Sequence, residues 1–112
     1  RFDTAVMQAL PGKLIAKTGA EGYFGLGIMP DALHPGSPAM GIMVKISDGD
    51  LKERARPVTC MAILRHMGLI TPDGEKQLQT FDAGSIANWR NIPVGEIRPS
   101  APLVEVLRSW KP

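Results

Sequence analysis

The chain has 112 residues, a formal net charge of +2, 44% apolar and 21% charged residues, the profile of an ordinary globular domain and neither that of a disordered segment nor of a membrane span. At this length one domain can bury roughly 65% of the surface its unfolded chain exposes, and so small a charge, with no basic cluster interleaved with aromatics, argues against a nucleic-acid partner. The single cysteine, Cys60, leaves no internal disulfide and cannot build a zinc site alone.

The first predicted element is a short helix over 3–10, where Ala5, Val6, Met7, Ala9 and Leu10 supply apolar positions. Asp3 or Thr4 stands near its first turn and Pro11-Gly12 stops it. The chain opens on this helix without an initiator methionine or signal peptide, as expected of a fragment or processed segment. Leu14, Ile15 and Ala16 follow as a continuous apolar run, which predicts a buried strand. Lys17 then falls near the end of that strand and is expected to be half-buried. Partial burial beside another cation favours the neutral amine, which can take a proton from a hydroxyl nucleophile. The charged form would hold a substrate carboxylate. Thr18 adds a hydroxyl, and Gly19 removes a side chain so that a ligand can approach the backbone. Read locally, the same triplet is also a solvated strand-end lysine before a turn.

Residues 22–29 alternate glycine with larger apolar side chains and predict a second strand in close contact with other backbone or with ligand. The breaker-rich stretch 30–38 predicts a surface loop carrying a solvated His34. A third strand over 40–46 ends at the turn Ser47-Asp48-Gly49-Asp50, giving a small antiparallel sheet. From Leu51 the pattern turns helical. Val58, Met61, Ala62, Ile63, Leu64 and Met67 form its apolar stripe, Lys52, Glu53, Arg54, Arg56 and Arg65 its polar side, and Gly68 its stop. Pro57 belongs in its first turn, and Cys60 fills its packed face. Thr71-Pro72-Asp73-Gly74 reads as a turn or helix start, 75–81 as a short amphipathic helix and 92–97 as an edge strand, because Pro93 cannot serve a central one. Residues 101–110 predict a last helix with Leu103, Val104, Val106 and Leu107 inward. The expected fold is α+β, an antiparallel sheet flanked by helices.

Several motifs occur in order: Arg1-Phe2-Asp3-Thr4, Leu10-Pro11-Gly12-Lys13, Lys17-Thr18-Gly19-Ala20-Glu21-Gly22, Val44-Lys45-Ile46-Ser47-Asp48-Gly49, Asn88-Trp89-Arg90-Asn91 and Val94-Gly95-Glu96-Ile97-Arg98-Pro99. Together they resemble the last third of the L-asparaginase II family, whose members have a serine β-lactamase-like fold. The resemblance covers the chain from Arg1 to about Pro99 and implies residues 1–112 as the C-terminal portion of a larger domain. It implies hydrolysis of L-asparagine to aspartate and ammonia by the serine of a Ser-x-x-Lys motif, supported by a second Ser/Lys pair. Lys17 resembles the lysine of that second pair. The nucleophile is not here: Ser37, Ser47, Ser85, Ser100 and Ser109 are followed three residues on by Met40, Asp50, Asn88, Leu103 and Pro112.

Thr18 and Gly19 would line the substrate site beside Lys17. Glu21, four positions after Lys17, either receives the substrate α-ammonium or is a turn carboxylate paired with Lys17 or solvent. Some relatives carry a zinc-binding cysteine where this chain has Asp3, so zinc is not expected here; a helix-capping carboxylate is. The implied partners are L-asparagine, the remaining N-terminal part of the same protein and further copies in a homo-oligomer, with no nucleic acid or membrane, in the cytoplasm. Two other readings stand beside this one. A penicillin-recognising serine hydrolase also uses Lys-Thr-Gly, although Ala20-Glu21-Gly22 and the 94–99 motif argue against it. A non-catalytic binding or assembly module would keep the scaffold and lack the nucleophile.

Overall fold

The computed structural model describes residues 1–50, 52–81, 85–87 and 89–112. Its first element, α1 (Phe2–Ala9), leads through a turn into β1 (Leu14–Thr18), β2 (Tyr23–Ile28) and β3 (Met40–Lys45). These strands form an antiparallel sheet in the order β1-β2-β3. Leu14 and Ala16 pair with Ile28 and Leu26, which in turn face Met40 and Ile42. A strand turns successive side chains to opposite faces, so one face carries Leu14, Ala16, Phe24, Leu26, Ile28 and Val44, all buried.

Against that face pack α1 and α2 (Ala55–His66), and α3 (Pro72–Leu78) packs on α1 and closes the same core. Phe2 ties the layers together, its ring 5.4 Å from Phe24 and 5.6 Å from Phe81. Cys60, Met61 and Leu64 of α2 and Leu78 of α3 are fully enclosed, and α2 is buried around most of its circumference, Arg56 included, so it lacks the clean polar side its sequence suggested. Gly68, at φ 75°, ends α2: its N–H reaches Arg65 O at 3.0 Å and Leu69 N–H reaches Leu64 O at 3.1 Å, a left-handed turn that glycine adopts without the Cβ penalty. Beyond α3 a two-stranded ribbon, β4 (Ser85–Ala87) with β5 (Pro93–Glu96), precedes α4 (Ala101–Ser109). Among the described residues no helix is long and apolar enough to cross a membrane.

The α+β fold stands as expected, with differences that follow from local physics. Ile15 is 62% exposed and Lys17 is exposed too, because strand alternation sends both to the face that no described helix covers; the continuous apolar run does not make a strand buried on both sides. Arg56 is buried rather than solvated. The third helix takes Thr71-Pro72-Asp73-Gly74 as its start, with Thr71 Oγ1 accepting from Gly74 N–H at 2.9 Å and proline in the first turn, where its missing N–H costs nothing, and it ends at Leu78, short of the expected Phe81. Val104 and Val106 are exposed, while Leu107 and Trp110 carry the contact of α4 with the core. The expected helix start at Leu51 lies outside the described residues, as does Asn88 of its motif; α2 begins at Ala55.

Candidate functional site

The uncovered face of the sheet is shaped by its glycines. Ile15 pairs with Gly27, and Gly27 with Gly41; Lys17 pairs with Gly25, and Gly25 with Met43. The central strand therefore presents bare backbone between taller side chains on its neighbours, leaving an open groove of about 390 Å³ lined by Ile15, Lys17, Gly25, Gly27, Gly41 and Met43. Gly27 is held to its size, since a Cβ there would lie 2.9 Å from Ile15 Cγ1. Lys17 stands on one wall of this groove. It is exposed, not half-buried, and among the described residues its amine has no hydrogen-bond or ion-pair partner.

Beyond Lys17 the backbone is gripped from behind. Thr18 N–H donates to Asp3 Oδ2 at 3.2 Å. Gly19 N–H donates to Tyr23 O at 2.9 Å and closes the β1–β2 hairpin, while Gly19 O accepts from Arg56 Nη1 at 3.0 Å. Gly19 lies so close to the returning strand that a Cβ would come within 2.9 Å of Tyr23 Cβ. Glu21 follows in a left-handed conformation, φ 54°, and Gly22 at φ 83°. The strain at Glu21, roughly 1–2 kcal/mol for a residue with a Cβ, is offset in part by Lys45, whose amine donates to Glu21 O and to Ile46 O and lies over the Tyr23 ring at 5.3 Å. The Glu21 side chain is exposed and forms no ion pair with Lys17. The turn therefore brings Lys17 and Glu21 to one end of the sheet, but strand alternation sends Thr18 to the covered face, where its hydroxyl meets Asp3, and the space a Gly19 side chain would take is filled by Tyr23 instead of being open to a ligand as expected. His34 is not among them: it lies in the β2–β3 loop at the other end, with Nδ1 3.1 Å from Pro35 O.

Asp3 is not the helix cap expected of it: the N-cap position of α1 is Arg1, without a side-chain cap hydrogen bond, and Asp3 stands inside the first turn. Its carboxylate is buried, accepts from Thr4 N–H at 2.8 Å as well as from Thr18, and meets Arg1 Nη2 at 3.0 Å. Burial by itself pushes this carboxyl up; the Thr18 and Thr4 backbone N–H groups, Arg1 and the Thr18 hydroxyl outweigh it and hold the group well below the usual carboxylate range. Its oxygens are thus committed to donors. Among the described residues no three His, Cys, Asp or Glu side chains gather closely enough to hold a metal.

The residues that sequence reasoning missed are Asp50 and Arg56. Asp50 Oδ1 accepts from Arg54 and Ala55 N–H at 3.1 and 3.0 Å, and Oδ2 accepts from Arg56 N–H at 2.9 Å and Arg56 Nε at 3.1 Å. The carboxylate thereby satisfies the orphan donors of the α2 N-terminus. Burial raises the Asp50 carboxyl, but the Ala55, Arg56 and Arg54 N–H groups and the Arg56 guanidinium together bring it below its ordinary value. Arg56 completes its fork on Gly19 O, on Tyr23 O at 3.2 Å and on Asp50 O at 3.1 Å, with Glu53 Oε1 at 3.4 Å. One signal was available: an aspartate just before a helix carrying a first-turn arginine. A run as charged as Lys52 to Arg56 reads more readily as a solvated face.

Comparison with known families supplies the context for this geometry. The family model described as L-asparaginase II matches residues 1–99. None of the curated proteins compared with the chain matches it.

Proposed function

The chain belongs to the L-asparaginase II family, and from that premise we propose that it is the lysine-bearing C-terminal part of a serine β-lactamase-like amidohydrolase that converts L-asparagine to L-aspartate and ammonia. The observation that carries the reading is the position of Lys17: an amine at a strand end with no partner among the described residues, on the face of the three-stranded sheet that no described helix covers, beside Gly25 whose missing side chain leaves room for a ligand. A Ser-x-x-Lys serine supplied by a segment outside these residues would meet Lys17 across that groove.

In this mechanism the serine hydroxyl attacks the side-chain amide carbon of asparagine. The C–N bond breaks, ammonia leaves with a proton, and water then cleaves the resulting ester to release aspartate and restore the serine. Lys17 belongs to the second Ser/Lys pair, moving the hydroxyl proton and stabilising the oxyanion. Glu21, held outward by its left-handed turn, receives the α-ammonium, while Thr18 and Gly19, whose polar groups are engaged by Asp3, Tyr23 and Arg56, hold the strand end that carries Lys17. Ammonia release from L-asparagine by the protein and its Lys17→Ala variant tests the assignment. Loss of at least a hundredfold in kcat with an unchanged circular-dichroism spectrum is expected; retained activity would remove Lys17 from the mechanism.

A further inference from the structure

Two buried side chains from separate helices grip the strand end that carries Lys17. Asp3, on α1, takes the N–H of Thr18 at 3.2 Å. Arg56, on α2, takes the C=O of Gly19 at 3.0 Å and, with the same nitrogen, that of Tyr23 at 3.2 Å, so it spans the last rung of the β1–β2 hairpin. Behind Arg56 stands Asp50, bonded at both Nε and the backbone N–H of the arginine. Arg56 and Asp50 side chains are only 6% and 7% exposed.

Stability is a poor explanation for this arrangement. A buried ion pair spends most of its Coulombic gain on desolvation, and a well-packed apolar pair of similar volume often does as well or better. What the pair supplies is a planar, rigid fork at a fixed distance from the core. That fork is aimed at backbone carbonyls next to Lys17, the group whose placement a proton transfer depends on, and misplacement by about 1 Å can cost on the order of a hundredfold in rate.

We propose that Arg56, seated by Asp50 and opposed by Asp3, is a positioning residue that fixes the Lys17-Thr18-Gly19 strand end in register for catalysis. This rests on the asparaginase reading of Lys17. Arg56 touches neither substrate nor the reacting atoms; it acts through the Gly19 and Tyr23 carbonyls. A lysine in its place keeps a cation against Asp50 but has no fork with which to hold both carbonyls as well.

The test compares Arg56→Lys, Asp3→Asn and Lys17→Ala in the full gene product, with kcat expressed per folded molecule from parallel circular dichroism and KM measured for L-asparagine. Arg56→Lys is expected to lower kcat tenfold or more and Asp3→Asn threefold or more, with KM within threefold of the parent. A merely structural role would reduce the folded fraction and leave kcat per folded molecule unchanged. Should Arg56→Lys fail to fold, Asp3→Asn decides, because it alters the grip on Thr18 without touching the buried pair. Values within twofold of the parent for every folded variant, with Lys17→Ala inactive, would overturn the positioning role and leave the asparaginase reading intact. Activity surviving in Lys17→Ala would overturn both.

Discussion

Replacing Asp50 by alanine removes the acceptor of four hydrogen bonds and the partner of a buried guanidinium. The four donors do not suffer equally. Arg54 is exposed and Ala55 half-buried, so water can reach their N–H groups, whereas the Arg56 N–H and Nε lie in the core. The cost is therefore dominated by a buried arginine left with only the half-exposed Glu53 carboxylate at 3.4 Å as counter-charge, about 3–5 kcal/mol for a broken buried pair. Against a domain stability of about 5–15 kcal/mol, that is a large fraction, and it corresponds to a fall in Tm on the order of 10–20 °C for a chain of this length. Asp50→Asn keeps the shape and one acceptor oxygen but loses the charge, so it should cost about half as much. Urea unfolding with a common m-value measures both. The sign of the pH dependence follows from the same contacts. The folded state holds the Asp50 carboxyl below its ordinary value, so its contribution is present above the unfolded value of about 3.9 and is lost as pH falls through the lower folded value. Asp50→Asn should show less acid destabilisation than the parent. A loss under 1 kcal/mol for Asp50→Ala would refute the account of Asp50 and Arg56 as an interdependent pair.

Two further outcomes follow from the same geometry. Burial pushes the Cys60 thiol up to about 12 against the weaker pull of Arg56, so at pH 8 only roughly one thiol in ten thousand is ionised; a disulfide reagent such as DTNB should react with it only on unfolding, and stability should decline between about 8.5, the unfolded value, and about 12 as pH rises. Gly22→Ala places a Cβ in a φ 83° backbone only 2.5 Å from Ile46 O, a clash with main chain added to roughly 1–2 kcal/mol of left-handed strain; a loss of at least about 2 kcal/mol in urea unfolding is expected, and a neutral result would contradict the turn geometry beneath Glu21.

Periodicity carried most of the fold. The glycine-rich second strand, the breaker-rich loop before Met40 and the proline-first helices each state their local physics in a few residues, and each lies close to its expected place. The errors share one cause. How deeply a strand residue is buried depends on what covers its face, which no local pattern records, so Leu14-Ile15-Ala16 read as uniformly buried although alternation exposes Ile15 and Lys17. Arg56 failed for the converse reason: its neighbours are charged, and its burial rests on contacts with the Asp50 carboxylate and with Gly19 and Tyr23, 37 and 33 residues away in sequence. The β4 strand, three residues long, is too short for alternation to register. The family resemblance singled out Lys17, Thr18, Gly19 and Glu21 as candidates; the groove beside Lys17 was not legible, because it arises from cross-strand pairing of Gly25, Gly27 and Gly41 with residues distant in sequence.

The central claim, that Lys17 serves an asparaginase whose nucleophile lies in another segment of the same protein, is tested most directly by ammonia release from L-asparagine, using this chain alone and the longer gene product containing it, with L-glutamine and a chromogenic β-lactam beside it. The account predicts activity on L-asparagine in the long form, none from the chain alone, and no β-lactam turnover. Activity of the chain alone would contradict the claim that the nucleophile lies elsewhere, and silence from both forms on all three substrates would make Lys17 an ordinary strand-end lysine on a binding module.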